Sequence, residues 1–156
     1  MRQKTSLGLH SKGPIKGVCH IRLFSPDGSL KEERVIENTV TDLGDAHVAD
    51  AMSDQGEGAL GYIAVGTGSG QGAGDTGLAT SLDRNALTST TQGGGANDND
   101  VVFVGDWAAG DGTGAITEAG IFLGDNNTTL NYYADFAVVN KGAADTLQIT
   151  WTVTYG

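Results

Sequence analysis

At 156 residues the chain is long enough for one domain with a substantial core and too short for two. Glycine supplies 25 residues and proline only 2, against a usual glycine share of about 7 %, so the composition implies short strands joined by many turns and argues against disorder. The net charge is −10 and the single cysteine, Cys19, excludes an internal disulfide. No apolar run approaches the ~18 residues of a membrane span and none forms a signal-peptide core, so the chain is expected neither to cross a membrane nor to be exported.

Residues 1–16 hold Gly8, Gly13 and Pro14, show no periodicity, and read as an extended basic arm. Seven of the nine basic residues lie in the first 34 positions against three acids, a balance of +4, while residues 35–156 hold two basic residues and 16 acids, a balance of −14. An acidic body resists aggregation and repels nucleic acid. No aromatic residue interleaves with the basic ones before Phe24, so nucleic acid is a poor partner. Arg2, Lys4, Lys12, Lys16 and Arg22 are instead assigned to docking on an acidic surface of another protein or subunit.

Residues 17–37 read as a hairpin. Cys19, Ile21 and Leu23 alternate with Val18, His20, Arg22 and Phe24, which gives one buried and one wet face. Ser25-Pro-Asp-Gly28 is a turn, because proline presets one dihedral and glycine accepts positive φ. Residues 39–53 hold the one credible helix. Thr41 or Thr39 is its expected N-cap, Asp42 and Asp45 suit the helix dipole, and Leu43, Ala46, His47 and Ala51, with Val48 at the margin, form an uneven apolar face broken by Gly44.

Residues 60–156 read as the strands of a sandwich. Tyr62-Ile-Ala-Val65 fits a buried strand, and glycines follow at 66, 68, 70, 72 and 74. A glycine-rich loop after a strand can cradle phosphate on its backbone amides. This one holds no lysine or arginine, so it is not a P-loop, and no adequate helix follows for a dinucleotide site. It is expected to be a mobile or tightly turning surface loop. Arg84–Thr91 reads as one threonine-rich strand, and further strands are expected at 101–104, 116–123 and 130–139. The end alternates for ten residues, with Leu147, Ile149, Trp151, Val153 and Tyr155 against threonines and Gln148. The predicted class is all-β, an antiparallel β-sandwich or jelly-roll-like body with one short helix and an extended N-terminal arm.

Chemistry is sparse. His10, His20 and His47 have no metal-type partner at short spacing, and adjacent Cys19 and His20 point to opposite faces of a strand. Cys19 reads as a small buried hydrophobe rather than a nucleophile. Asp98, Asp100, Asp106, Asp111 and Asp125 are calcium-type ligands, yet their spacing matches no calcium loop and they read as turn residues. Glu118 is an odd acid within a strand, to be paired with Arg84 or Lys141 or placed on a solvent or subunit face. No catalytic residue, cofactor or metal is assigned and no enzyme is expected. Tyr62, Phe103, Trp107, Phe122 and Trp151 are candidates for the core or an oligomer contact.

Three segments carry a resemblance when taken in order: Tyr62-Ile-Ala-Val-Gly-Thr-Gly68, then Gly112-Thr-Gly-Ala-Ile-Thr-Glu-Ala-Gly-Ile-Phe122, then Val139 to Val153. Together with Asn38-Thr-Val-Thr-Asp-Leu-Gly44, the series resembles a family of small tailed-bacteriophage virion proteins, similar to head decoration (cement) proteins, with related stretches in tail-fibre or baseplate proteins. The resemblance spans roughly residues 36–156. It implies a structural role on the capsid surface of the virion, a β-rich fold, a homo-oligomer such as a trimer, and the major capsid protein as partner. It transfers no catalytic residue. The alternative it leaves open is a tail or baseplate adsorption module that recognises a host receptor such as a glycan; aromatics such as Trp107, Tyr132 or Tyr133 could stack on sugar there if exposed, although core packing is the stronger reading for each.

Overall fold

The computed structural model describes residues 15–156. Residues 1–14 of the expected arm, including Arg2, Lys4 and Lys12, lie outside them. The described chain is an all-β sandwich of two five-stranded antiparallel sheets with one short helix.

The first sheet runs in the order β2 (Leu30–Glu37), β1 (Lys16–Phe24), β10 (Thr146–Thr154), β7 (Asp100–Trp107) and β6 (Ser89–Gln92). The second runs β3 (Thr39–Val40), β9 (Leu130–Lys141), β8 (Gly114–Phe122), β4 (Tyr62–Gly66) and β5 (Ser81–Ala86). Helix α1 (Asp42–Met52) lies against β9. Thr41 is its N-cap: the hydroxyl accepts from the Gly44 amide at 3.1 Å and donates to the Leu130 carbonyl at 2.6 Å, so the cap also fastens the helix to β9.

Alternation in β1 and β10 decides how the first sheet faces the second. Cys19, Ile21 and Leu23 pair in register with Trp151, Ile149 and Leu147, and all six are essentially inaccessible. They meet Ile63, Val65, Ile116, Ile121, Tyr132 and Val139 of the second sheet in one core. Phe103, Trp107 and Trp151 belong to that core, while Phe122 is buried in a smaller cluster with Leu78, Leu130 and Tyr133, against which half-buried Tyr62 packs. Four of the five aromatic candidates are therefore core residues. The fifth, Tyr62, supports the second cluster.

Two features depart from the sequence reading. Arg84–Thr91 is not one strand. β5 ends at Ala86 in the second sheet and β6 begins at Ser89 in the first, with Leu87 and Thr88 crossing between layers. The Leu87 amide donates to Gly61 of one sheet side and the Thr88 amide to Val104 of the other. Lys16 and Arg22, assigned to the arm, are strand residues of β1. Arg22 donates to Gln148 on β10 and lies 5.9 Å over the Phe24 ring.

The two outer faces differ. The second sheet is covered by residues 67–80, whose Leu78 packs on Phe122 and Leu130. The first sheet presents Val18, His20, Arg22 and Phe24 beside Gln148, Thr150, Thr152 and Thr154, then Val102 and Val104, and among the described residues no helix or strand packs on this face. Val35 at its edge is 65 % exposed and Val18 41 %.

Close approach of the sheets is set by Gly105, where a Cβ would come within 2.3 Å of the Ile63 side chain across the core. Gly105→Ala is expected to destabilise the fold by about 1–3 kcal/mol through overpacking, read by chemical denaturation. An unchanged midpoint would show that Ile63 has room to move.

Candidate functional site

The polar centre of the molecule is Glu118, which is fully buried on the outward side of β8 beneath the glycine-rich segment. Its Oε2 accepts from the amides of Gly68 at 2.9 Å and Thr80 at 2.8 Å. Its Oε1 accepts from the Ala79 amide at 3.0 Å and the Tyr133 hydroxyl at 2.8 Å. Four donors thus surround one carboxylate. Burial, followed by the bond to Glu118, raises the Tyr133 phenol well above its ordinary value, which keeps it protonated and donating.

Strand pairing sets this geometry. β4 pairs with β8 so that Gly66 lies opposite Glu118, and the chain then turns over the carboxylate. A Cβ on Gly66 would fall 2.6 Å, and one on Gly68 2.8 Å, from Glu118 Oε2. Only a backbone without side chains can approach so closely. The Thr117 hydroxyl donates to the Gly68 carbonyl at 2.7 Å, the Gly70 amide donates to Asp135 at 2.9 Å, and the first helical amide, Asp42, donates to the Ala73 carbonyl at 2.8 Å. The loop is therefore pinned at several points and turns tightly.

The tightly turning loop expected from the sequence takes no external phosphate on its amides in this arrangement. Its amides do hold anions, and these are the chain's own Glu118 and Asp135. The pairing of Glu118 with Arg84 or Lys141 is not found. Arg84 lies 3.9 Å over the Phe122 ring, with Asp125 at 3.9 Å. Desolvation lowers its pKa, partly opposed by Asp125.

Lys141 belongs to a second buried polar cluster. Its ammonium donates to the carbonyls of Asp145 at 2.7 Å and Ala108 at 3.0 Å. Desolvation lowers its pKa, opposed by Asp145, Asp111 and Asp83. The Asp145 carboxylate accepts from Lys31 Nζ and from the Gly142 amide, both at 2.8 Å. These bonds, led by that from Lys31, hold its pKa below the ordinary aspartate value.

The remaining expected residues are dispersed. Asp100 accepts from Thr154, and Asp106 from Thr88 and Gln148. Among the described residues no three of His, Cys, Asp and Glu are grouped to hold a metal ion. Cys19 is wholly buried, which raises its thiol pKa far above the usual range and keeps it protonated. Trp107, Tyr132 and Tyr133 are at most 2 % exposed. They are packing residues, as the core reading of each expects, and are not available to stack on a glycan.

Glu118→Ala, which strands three amides and a hydroxyl, is expected to cost about 3–5 kcal/mol. Tyr133→Phe, which removes one donor, is expected to cost about 2 kcal/mol. Denaturation midpoints and protease cleavage within residues 67–80 measure both; wild-type values would show that the carboxylate clamps nothing. Because the Asp145 pKa is lowered in the folded state, its stabilisation is present above 3.8 and is lost as pH falls through the lower native value. Asp145→Asn is therefore expected to flatten the acid limb of a stability–pH profile.

No protein-family model, curated protein or solved structure matches the chain.

Proposed function

We propose that this chain is a structural virion protein of a tailed bacteriophage, a capsid decoration protein that binds the outer shell and stabilises it by bridging major capsid subunits. The observation that carries the reading is the asymmetry of the two sheets. One outer face is sealed by the clamped glycine segment, while the other is broad and bare, with exposed Val18 and Val35 among threonines. A flat β-branched and polar face gains affinity from area and repetition rather than from a single deep pocket.

Further support comes from where the resembling segments lie. Tyr62–Gly68 and Gly112–Phe122 meet at Glu118 through the pairing of β4 with β8, and residues 139–153 run from β9 into the middle strand of the first sheet. The resembling residues thus build the frame of the sandwich, in keeping with a family known for its architecture. The basic residues 2, 4 and 12 add an attachment element of opposite charge to the body. A homotrimer would multiply such contacts.

The test is the binding of purified protein to shells that lack it. Added protein is expected to bind at a copy number comparable to that of shell subunits and to raise the temperature at which shells rupture. A Val18→Asp/Val35→Asp variant, folded by circular dichroism, is expected to bind at least several-fold more weakly, and removal of residues 2–14 to weaken binding further. Wild-type binding by the charged-face variant, or a copy number of only a few per particle, refutes the proposal.

A further inference from the structure

A sheet ends in strands whose outer backbone groups have no neighbour, and proteins guard such edges with charge, proline or brevity. Among the described residues, three of the four edges are guarded. β2 carries Lys31, Glu32, Glu33, Arg34 and Glu37, β5 carries Asp83 and Arg84, and β3 is two residues long. The fourth edge, β6, consists of Ser89, Thr90, Thr91 and Gln92, all exposed, and residues 85–97 hold no charged residue and no proline. With Thr88 and Gly93, whose amides also bond β7, the paired stretch covers residues 88–93, the length of an ordinary strand.

Register decides which backbone groups point outward. The Gly93 amide donates to the Asp100 carbonyl at 2.8 Å, so these two residues form a hydrogen-bonded pair. Alternation along an antiparallel ladder then turns Ser89 and Thr91 toward β7 and points the amide and carbonyl of Thr90 and of Gln92 away from it. Acids stand at both ends of this row. Asp106 accepts from the Thr88 hydroxyl at 2.7 Å, and the Gln92 side chain donates to the Asp98 carbonyl at 2.7 Å, close to Asp100. Residues 85–140 hold no lysine or arginine to offset them. A second copy paired antiparallel along this edge would set Asp106 of one copy against Asp98 and Asp100 of the other, and like charges placed opposite each other destabilise a strand pair.

We propose that β6 is a docking edge for an extended segment of a partner protein, which joins the first sheet as a sixth strand. The segment is uncharged and β-branched opposite β6 and carries lysine or arginine at both ends. Main-chain bonds to Thr90 and Gln92 supply the affinity, and the flanking acids select the charge. β-branched side chains suit the place, because the new strand would lie beside Thr91 and continue the surface of Val102, Val104 and the β10 threonines. The inference concerns the sheet edge and stands apart from capsid binding.

Amide hydrogen exchange of the full chain, read residue by residue by NMR with and without the capped peptide Lys-Val-Thr-Val-Thr-Val-Lys, tests it. In the free protein the amides of Thr90 and Gln92 are expected to exchange faster than those of Ser89 and Thr91. The peptide is expected to slow Thr90 and Gln92 at least several-fold, and the same peptide ended with glutamates to leave them unchanged. Thr90→Pro removes an outward amide and no bond to β7. This variant is expected to keep the fold by circular dichroism and to lose the protection at Gln92, while Thr90→Val retains it. Equal protection by the two peptides, or none by the lysine peptide, overturns the proposal. So does slow exchange at Thr90 and Gln92 in the free protein, which assigns the edge to a second copy if it grows with concentration and to the chain itself if it does not.

Discussion

A carboxylate with no solvent contact is tolerable only when donors replace the water it has lost, and Glu118 meets that condition with three backbone amides and one phenol. The donors come from three places, the start of the glycine segment, its far end and the neighbouring strand β9. One side chain thereby fixes a long connection to the outside of a sheet. Together with the bonds between Asn127 and the Leu78 backbone and from the Leu130 amide to Thr76, it holds Leu78 over Phe122 and Leu130 on the outer face of the second sheet. The glycines belong to the same arrangement, since any side chain at 66 or 68 would displace the carboxylate.

The sandwich has an analogous device on its other flank. Sheet edges expose unpaired backbone groups and invite association. Here side chains of β2 reach the uncovered edge of β9: Arg34 donates to the carbonyls of Ala137 and Val138, and Glu32 accepts from the Asn140 amide. Charged residues on an edge strand therefore tie one sheet to the other. The same charges discourage a foreign strand from adding to β2.

What was legible in the sequence was local in origin. The period-2 pattern of β10, the turn before β2 and the Thr41 cap all depend on neighbouring residues, and each appears in the fold. The crossing at Leu87 and Thr88 had no local signal, because a strand that leaves one sheet and joins another keeps the same composition. Glu118 stands out in the sequence as an odd acid, but its partners include amides 38 to 50 residues away, and an amide has no letter in a sequence. Lys141 was hidden for the same reason, since its partners are carbonyls. Trp107 and Tyr132 face the core between the sheets while Tyr133 points the other way, under the glycine segment, and only the strand pairing and the chain that covers the second sheet make all three inaccessible.

The middle strand of the first sheet is β10, which comes after every other strand of the chain and joins β1 to β7. During synthesis β1 and β7 each have one flank without a neighbour until residues 146–154 leave the ribosome. Closing that gap joins positions 16 and 154 across the whole chain, the sort of non-local pairing that slows folding. A nascent chain stalled before Thr146 would display two open strands and half of a hydrophobic interior, and the burden of keeping it from clumping would fall on chaperones.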